Sequence, residues 1–163
     1  MMKKIVIILA LTLLLSGCNA APTFETLGNV YPGPQTPQPR EISLTVPEDA
    51  AAQVIQSDSG RLYLCDGYEI TLQTLAAGDL NQTLQALTGF GSGALTVMET
   101  GLTENARYEC VWTSAGEGGD AVGRAVILDD GNYHYCVTVM APAEDASRLQ
   151  DTWRSLLASF SLV

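Results

Sequence analysis

Two short turn signatures constrain this chain more than anything else in it. Asp66-Gly67 separates residues 61–65 from 68–74, and Asp129-Asp130-Gly131-Asn132 separates 121–128 from 133–140. Such sequences supply the positive φ that tight hairpin turns demand, and the flanking runs are rich in β-branched and aromatic residues. Each signature therefore predicts a pair of antiparallel neighbours. A further strand at 106–113 extends the second pair into a three-strand meander. Weaker strands are predicted at 41–46, where Pro47 stops the run, at 53–56 and at 95–98.

Helical periodicity interrupts the strands twice. Asp79 suits an N-cap, and Leu80, Leu84 and Leu87 share one face, so residues 79–87 read as a helix ended by Gly89, Gly91 and Gly93. Leu149, Trp153, Leu156, Leu157 and Phe160 form an apolar stripe, which predicts a helix over 143–160 with Arg148, Asp151 and Arg154 on its wet side. Pro47 and two acids open a possible short helix at 47–52. Strands, helix, strands, helix, with hairpins dominant, is an α+β order: an antiparallel sheet built of hairpins with helices packed on it. The opening Ile-Ser-Leu-Thr-Val-Pro strand and the long closing helix that runs into Ser159-Phe160-Ser161-Leu162 resemble PsbP-like domains. That resemblance implies an antiparallel sheet between helical layers and transfers no functional residue.

The first residues carry a different message. Lys3 and Lys4 precede an uncharged apolar run of eleven residues, Ile5 to Leu15. A bilayer span needs about 20 such residues, so the run fits an export-signal core instead. It ends in Leu15-Ser16-Gly17-Cys18, which resembles the lipobox of bacterial lipoproteins. The resemblance implies cleavage between Gly17 and Cys18 and thioether attachment of a diacylglyceryl group to Cys18, with palmitate-type chains holding the protein to a membrane face. Two or more chains hold essentially permanently, since each buried CH₂ contributes about 0.8 kcal/mol. The organisation expected is a signal peptide at 1–17, a lipidated Cys and tether at 18–40, and a globular domain at 41–163. Five of the 7 prolines fall in the tether, and at about 3.1 Å per residue residues 19–40 reach roughly 70 Å.

Charge excludes whole classes of partner. The chain has 8 Lys and Arg against 18 Asp and Glu, for a net −10. Both lysines stand in the leader, so 6 arginines face the 18 acids beyond it. Such a surface repels phosphate backbones, so no nucleic acid is expected, nor adhesion to anionic lipid through a basic patch.

Candidate chemistry is sparse. Cys65, Cys110 and Cys136 show no C-x-x-C spacing, so neither a redox motif nor a zinc ribbon is expected. In the meander, Cys110 and Cys136 flank a middle strand at about 9.6 Å, beyond the roughly 7 Å a disulfide tolerates; any bridge should involve Cys65. His134 is the only histidine. It shares a strand face with Cys136, while Tyr133 and Tyr135 take the other face. The glycine runs at 89–93 and 116–119 lack phosphate-loop spacing, and Ser92 lacks a nucleophile-elbow context. The acids of the 117–120 and 129–130 loops lie at opposite ends of one strand, too far apart to share an ion. No catalytic residue, metal or cofactor is therefore expected. Tyr108, Trp112, Tyr133 and Tyr135 are the candidates for an aromatic ligand platform. The sequence points to a non-enzymatic, membrane-anchored envelope lipoprotein that binds a protein or small ligand. The competing expectation is an envelope enzyme using a Cys/His or carboxylate site.

Overall fold

The computed structural model describes residues 37–50, 55–57, 60–100, 105–116 and 119–163. The leader, Cys18 and the tether as far as residue 36 lie outside the described residues. The chain divides into Met1–Gln35 and Thr36–Val163, and the second unit is the one described below.

The hairpins form where the turn residues dictate. Gly67 and Gly131 adopt φ +79° and +85°, values that a side chain would resist. Strands β3 (Gly60–Cys65) and β4 (Tyr68–Ala76) join through the first turn, and β7 (Gly119–Asp129) and β8 (Tyr133–Pro142) through the second. With β2 (Ile55–Ser57), β5 (Thr96–Glu99) and β6 (Ala106–Gly116) they make one antiparallel sheet of order β2-β3-β4-β8-β7-β6-β5. The expected meander is β6-β7-β8. Its third strand also pairs with β4, for example Thr71 opposite Thr138, which fuses the two hairpin systems into one sheet.

Each face of this sheet carries one helix. Helix α1 (Leu80–Thr88) starts at Asp79, whose carboxylate accepts the Asn81 N–H at 3.0 Å, and stops at Gly89 with φ +79°. Its Leu84 is fully buried with Cys110, Trp112, Ala125, Ile127 and Cys136. Helix α2 (Ala146–Ser159) covers the other face. Its Leu149, Trp153, Leu156 and Leu157 join Tyr68, Ile70, Leu72, Val126, Tyr135, Val137 and Val139 in the larger core. The α+β class, an antiparallel sheet with helices on it, is thus the architecture.

The ends depart from expectation. The strand expected over 41–46 shortens to β1 (Ile42–Ser43), whose partner among the described residues is the dipeptide β9 (Ser161–Leu162). Residues 48–50 form a turn closed by Ala50 N–H on the Pro47 carbonyl at 3.1 Å, where a helix is expected; 51 and 52 lie outside the described residues. Helix α2 begins at Ala146, since the backbone first turns with Asp145 N–H on the Pro142 carbonyl at 3.0 Å. Among the described residues no helix is long and apolar enough to cross a membrane.

Candidate functional site

The four candidate aromatics do not form one surface. Strand parity places Tyr108 and Trp112 on the α1 face and Tyr133 and Tyr135 on the α2 face. Trp112 is buried, its ring lying against Gly123 so closely that a Cβ there would run into it. Tyr135 is wholly buried. The aromatic platform is therefore corrected: α1 and α2 cover what alternation alone leaves open, one on each side.

Tyr133 and Tyr135 instead hold the chain that enters the domain. Tyr133 donates its hydroxyl to the Pro37 carbonyl at 2.8 Å. The Tyr135 hydroxyl accepts the Arg40 N–H at 2.8 Å and donates to Asp130 Oδ2 at 2.8 Å. Asp130 Oδ1 also takes the Asn132 and Tyr133 amides at 2.9 and 2.7 Å. Burial pushes the Asp130 carboxyl up. Those amides, the Tyr135 hydroxyl and the Arg40 charge outweigh it and hold the group below its ordinary value. Residues 37–40, read from sequence as the end of the tether, thus lie hydrogen-bonded against β8.

That attachment makes a cleft. Pro39, Arg40, Glu41 and Ile42 form one wall, and the β2-β3-β4 side of the sheet forms the other. Its volume is about 580 Å³, within the range of small-ligand sites. Leu72 forms its apolar floor, Thr74 and Tyr133 bring a hydroxyl and an aromatic ring, and Arg61 stands on the same sheet face. Among the described residues neither Arg40 nor Arg61 lies in an ion pair, whereas Arg107, Arg148 and Arg154 each have a carboxylate partner. Two smaller hollows, of about 370 and 230 Å³, sit at other parts of the sheet around Leu64 and Met140 and around Met98 and Val111. Neither gathers two free cations. Sequence reasoning missed the cleft, although Arg40 and Arg61, scarce cations far from each other in the chain, were its available signal.

The nucleophile-type residues lie elsewhere, under α1. His134 Nδ1 is 2.7 Å from Thr83 Oγ1, and Nε2 is 3.5 Å from Asp129 Oδ2. Both His134 and Thr83 are buried, so the chain of contacts ties α1 to β8. His134 and Cys136 share that face, as strand parity predicts, and the Cys136 thiol lies 3.7 Å from the His134 carbonyl oxygen. Burial, with Cys110 adding to it, pushes the Cys136 thiol up to about 12. Burial also raises Cys110, against a backbone hydrogen bond at Ala125. All three domain cysteines are free. Cys65, opposite Tyr68 on the α2 face, is on the wrong side of the sheet to bridge either of the others. Its thiol is raised by burial, with a Tyr68 hydrogen bond acting the other way. No cluster of three metal-ligating side chains occurs among the described residues.

No protein-family model and no curated protein matches the sequence. Solved structures do resemble the fold. The Ran-binding protein Mog1p of Saccharomyces cerevisiae is 12% identical with a TM-score of 0.55, over 75% of this chain and 90% of that one. A protein from Bacteroides thetaiotaomicron is 11% identical with a TM-score of 0.51; the match spans 75% of this chain and 45% of that longer one. LpqN of Mycobacterium tuberculosis, involved in cell envelope biogenesis, is 13% identical with a TM-score of 0.49, over 77% and 86% of the two chains. For the two with TM-scores above 0.5 the likeness concerns the fold, and it agrees with the layered arrangement expected from the PsbP-like resemblance.

Proposed function

We propose that this chain is a lipid-anchored, extracytoplasmic binding module without catalytic chemistry of its own, and that its ligand site is the cleft beneath residues 39–42. The observation that carries the reading is the cleft itself: about 580 Å³, part apolar, lined by two arginines that have no ion-pair partner among the described residues of an acid-rich chain. The anchor rests on Leu15-Ser16-Gly17-Cys18 behind a charged start and an apolar run. The non-catalytic part is supported by burial. The imidazole and the two α1-face thiols sit beneath a helix, and the raised Cys110 and Cys136 keep little thiolate at neutral pH.

Two measurements test it. Mass spectrometry of the native protein should find Cys18 at the amino terminus carrying diacylglyceryl, and Cys18→Ala should move the protein from the membrane to the soluble fraction. An intact leader defeats the anchor. An NMR screen of small neutral and charged fragments should shift the amides of Arg61, Gln73, Thr74 and Tyr133 together. Hits confined to the α1 face, or a thiol in the folded domain that reacts as fast as a free thiolate, defeat the binding reading.

A further inference from the structure

Resting on that reading of the cleft, we infer that its ligand presents an oxyanion, a carboxylate or phosphate, to Arg40 and Arg61, with an uncharged body lying over Leu72 and Tyr133. The lining includes two arginines and one carboxylate residue, Glu41; Asp130, which feels the Arg40 charge, stands outside it. The cleft is therefore a locally positive place on a chain of net charge −10. A guanidinium offers paired N–H donors that match the two oxygens of a carboxylate or phosphate. The other eight residues of the lining are uncharged, among them apolar Ile42 and Leu72, aromatic Tyr133 and the hydroxyl-bearing Ser57 and Thr74. Beyond a Debye length of about 10 Å the acidic surface is screened, but close to it polyanions are repelled. The site thus favours a small or singly charged anion over a nucleic acid or an acidic protein.

The site is also conditional on the chain's own entry segment. Arg40 is part of the lining while its N–H is held by Tyr135. Loosening that segment removes one wall and one cation together.

Thermal unfolding of the full chain with inorganic phosphate, and separately with acetate, tests the inference. A second arm measures co-sedimentation of the non-acylated Cys18→Ala chain with phosphatidylcholine vesicles with and without phosphatidic acid. The expected result is stabilisation by at least one free anion, or phosphatidic-acid-dependent sedimentation. Either effect should fall at least tenfold in apparent affinity in Arg40→Gln and Arg61→Gln, rise in Glu41→Gln, and persist in Arg124→Gln. Response to free anions assigns the group to a soluble ligand; response to vesicles alone assigns it to a lipid headgroup. Absence of arginine-dependent anion binding in both arms overturns the inference, as does equal loss in Arg124→Gln. If neutral fragments still occupy the cleft, the binding reading survives that failure.

Discussion

The two faces of the sheet use similar residues for opposite ends. The α2 face is a thick layer of Trp153, Tyr68, Tyr135 and aliphatic side chains under a helix of 14 residues. The α1 face is thinner, with a helix of 9 residues over cysteines, Ala125, Ile127 and a histidine. His134, Cys110 and Cys136 lie on the thin side, packed beneath α1, and Cys65 lies on the thick one. The polar groups left open lie at the rim of the thick side, where the entering segment crosses it. Residue type is therefore a poorer guide to a site here than the position of a covering element.

That contrast can be broken in order of effect. Trp153→Ala, which empties the centre of the thick face, should cost about 3–5 kcal/mol, and Leu84→Ala on the thin face about 2–5 kcal/mol, both read by urea unfolding. If Leu84→Ala costs more than Trp153→Ala, the ranking of the faces is reversed. Gly123→Val should push the Trp112 ring off the sheet, at about 1–3 kcal/mol, with a red-shifted tryptophan emission. An unshifted spectrum would mean that the ring does not rest there. Tyr135→Phe removes the hydroxyl shared by Arg40 and Asp130, and about 1–2 kcal/mol is expected. Its sharper readout is faster tryptic cleavage after Arg40. Arg154→Ala breaks only an exposed pair and should change stability by under about 0.5 kcal/mol.

Acid should act on the same joint. The Asp130 carboxyl is held below its unfolded value near 3.8. Its contribution is complete above that value and disappears as pH falls through the lower folded one. Tryptic sensitivity cannot be read so far down, but hydrogen exchange at the Arg40 amide can. Exchange should accelerate in that window more than at Val137, which lies in the core of the same strand system. Equal acceleration at both would point to global unfolding.

Much of the fold was legible because its signals are local. Asp66-Gly67 and Gly131 mark turns, Asp79 marks a cap, and the Leu80-Leu84-Leu87 and Leu149-Trp153-Leu156 spacings mark buried faces. Alternation even assigns His134 with Cys136 and Tyr133 with Tyr135 to opposite sides. What alternation does not encode is which helix covers which side, so the four aromatics read as one platform when two coverings divide them. The cleft was hidden for the same reason. Arg40 and Tyr135 are 95 positions apart, and Ile42 finds Leu162 at the far end of the domain. No window along the chain contains both partners.

The attachment of residues 37–40 has a mechanical side. Traction applied from the amino-terminal direction meets Pro37 and Arg40 first, and these hand it to Tyr133 and Tyr135 on β8. That strand is flanked by β4 and β7, so the load enters where many hydrogen bonds resist in parallel. Had the entry been stitched to the three-residue β2 at the border, the same tug would unzip the sheet from its weakest margin.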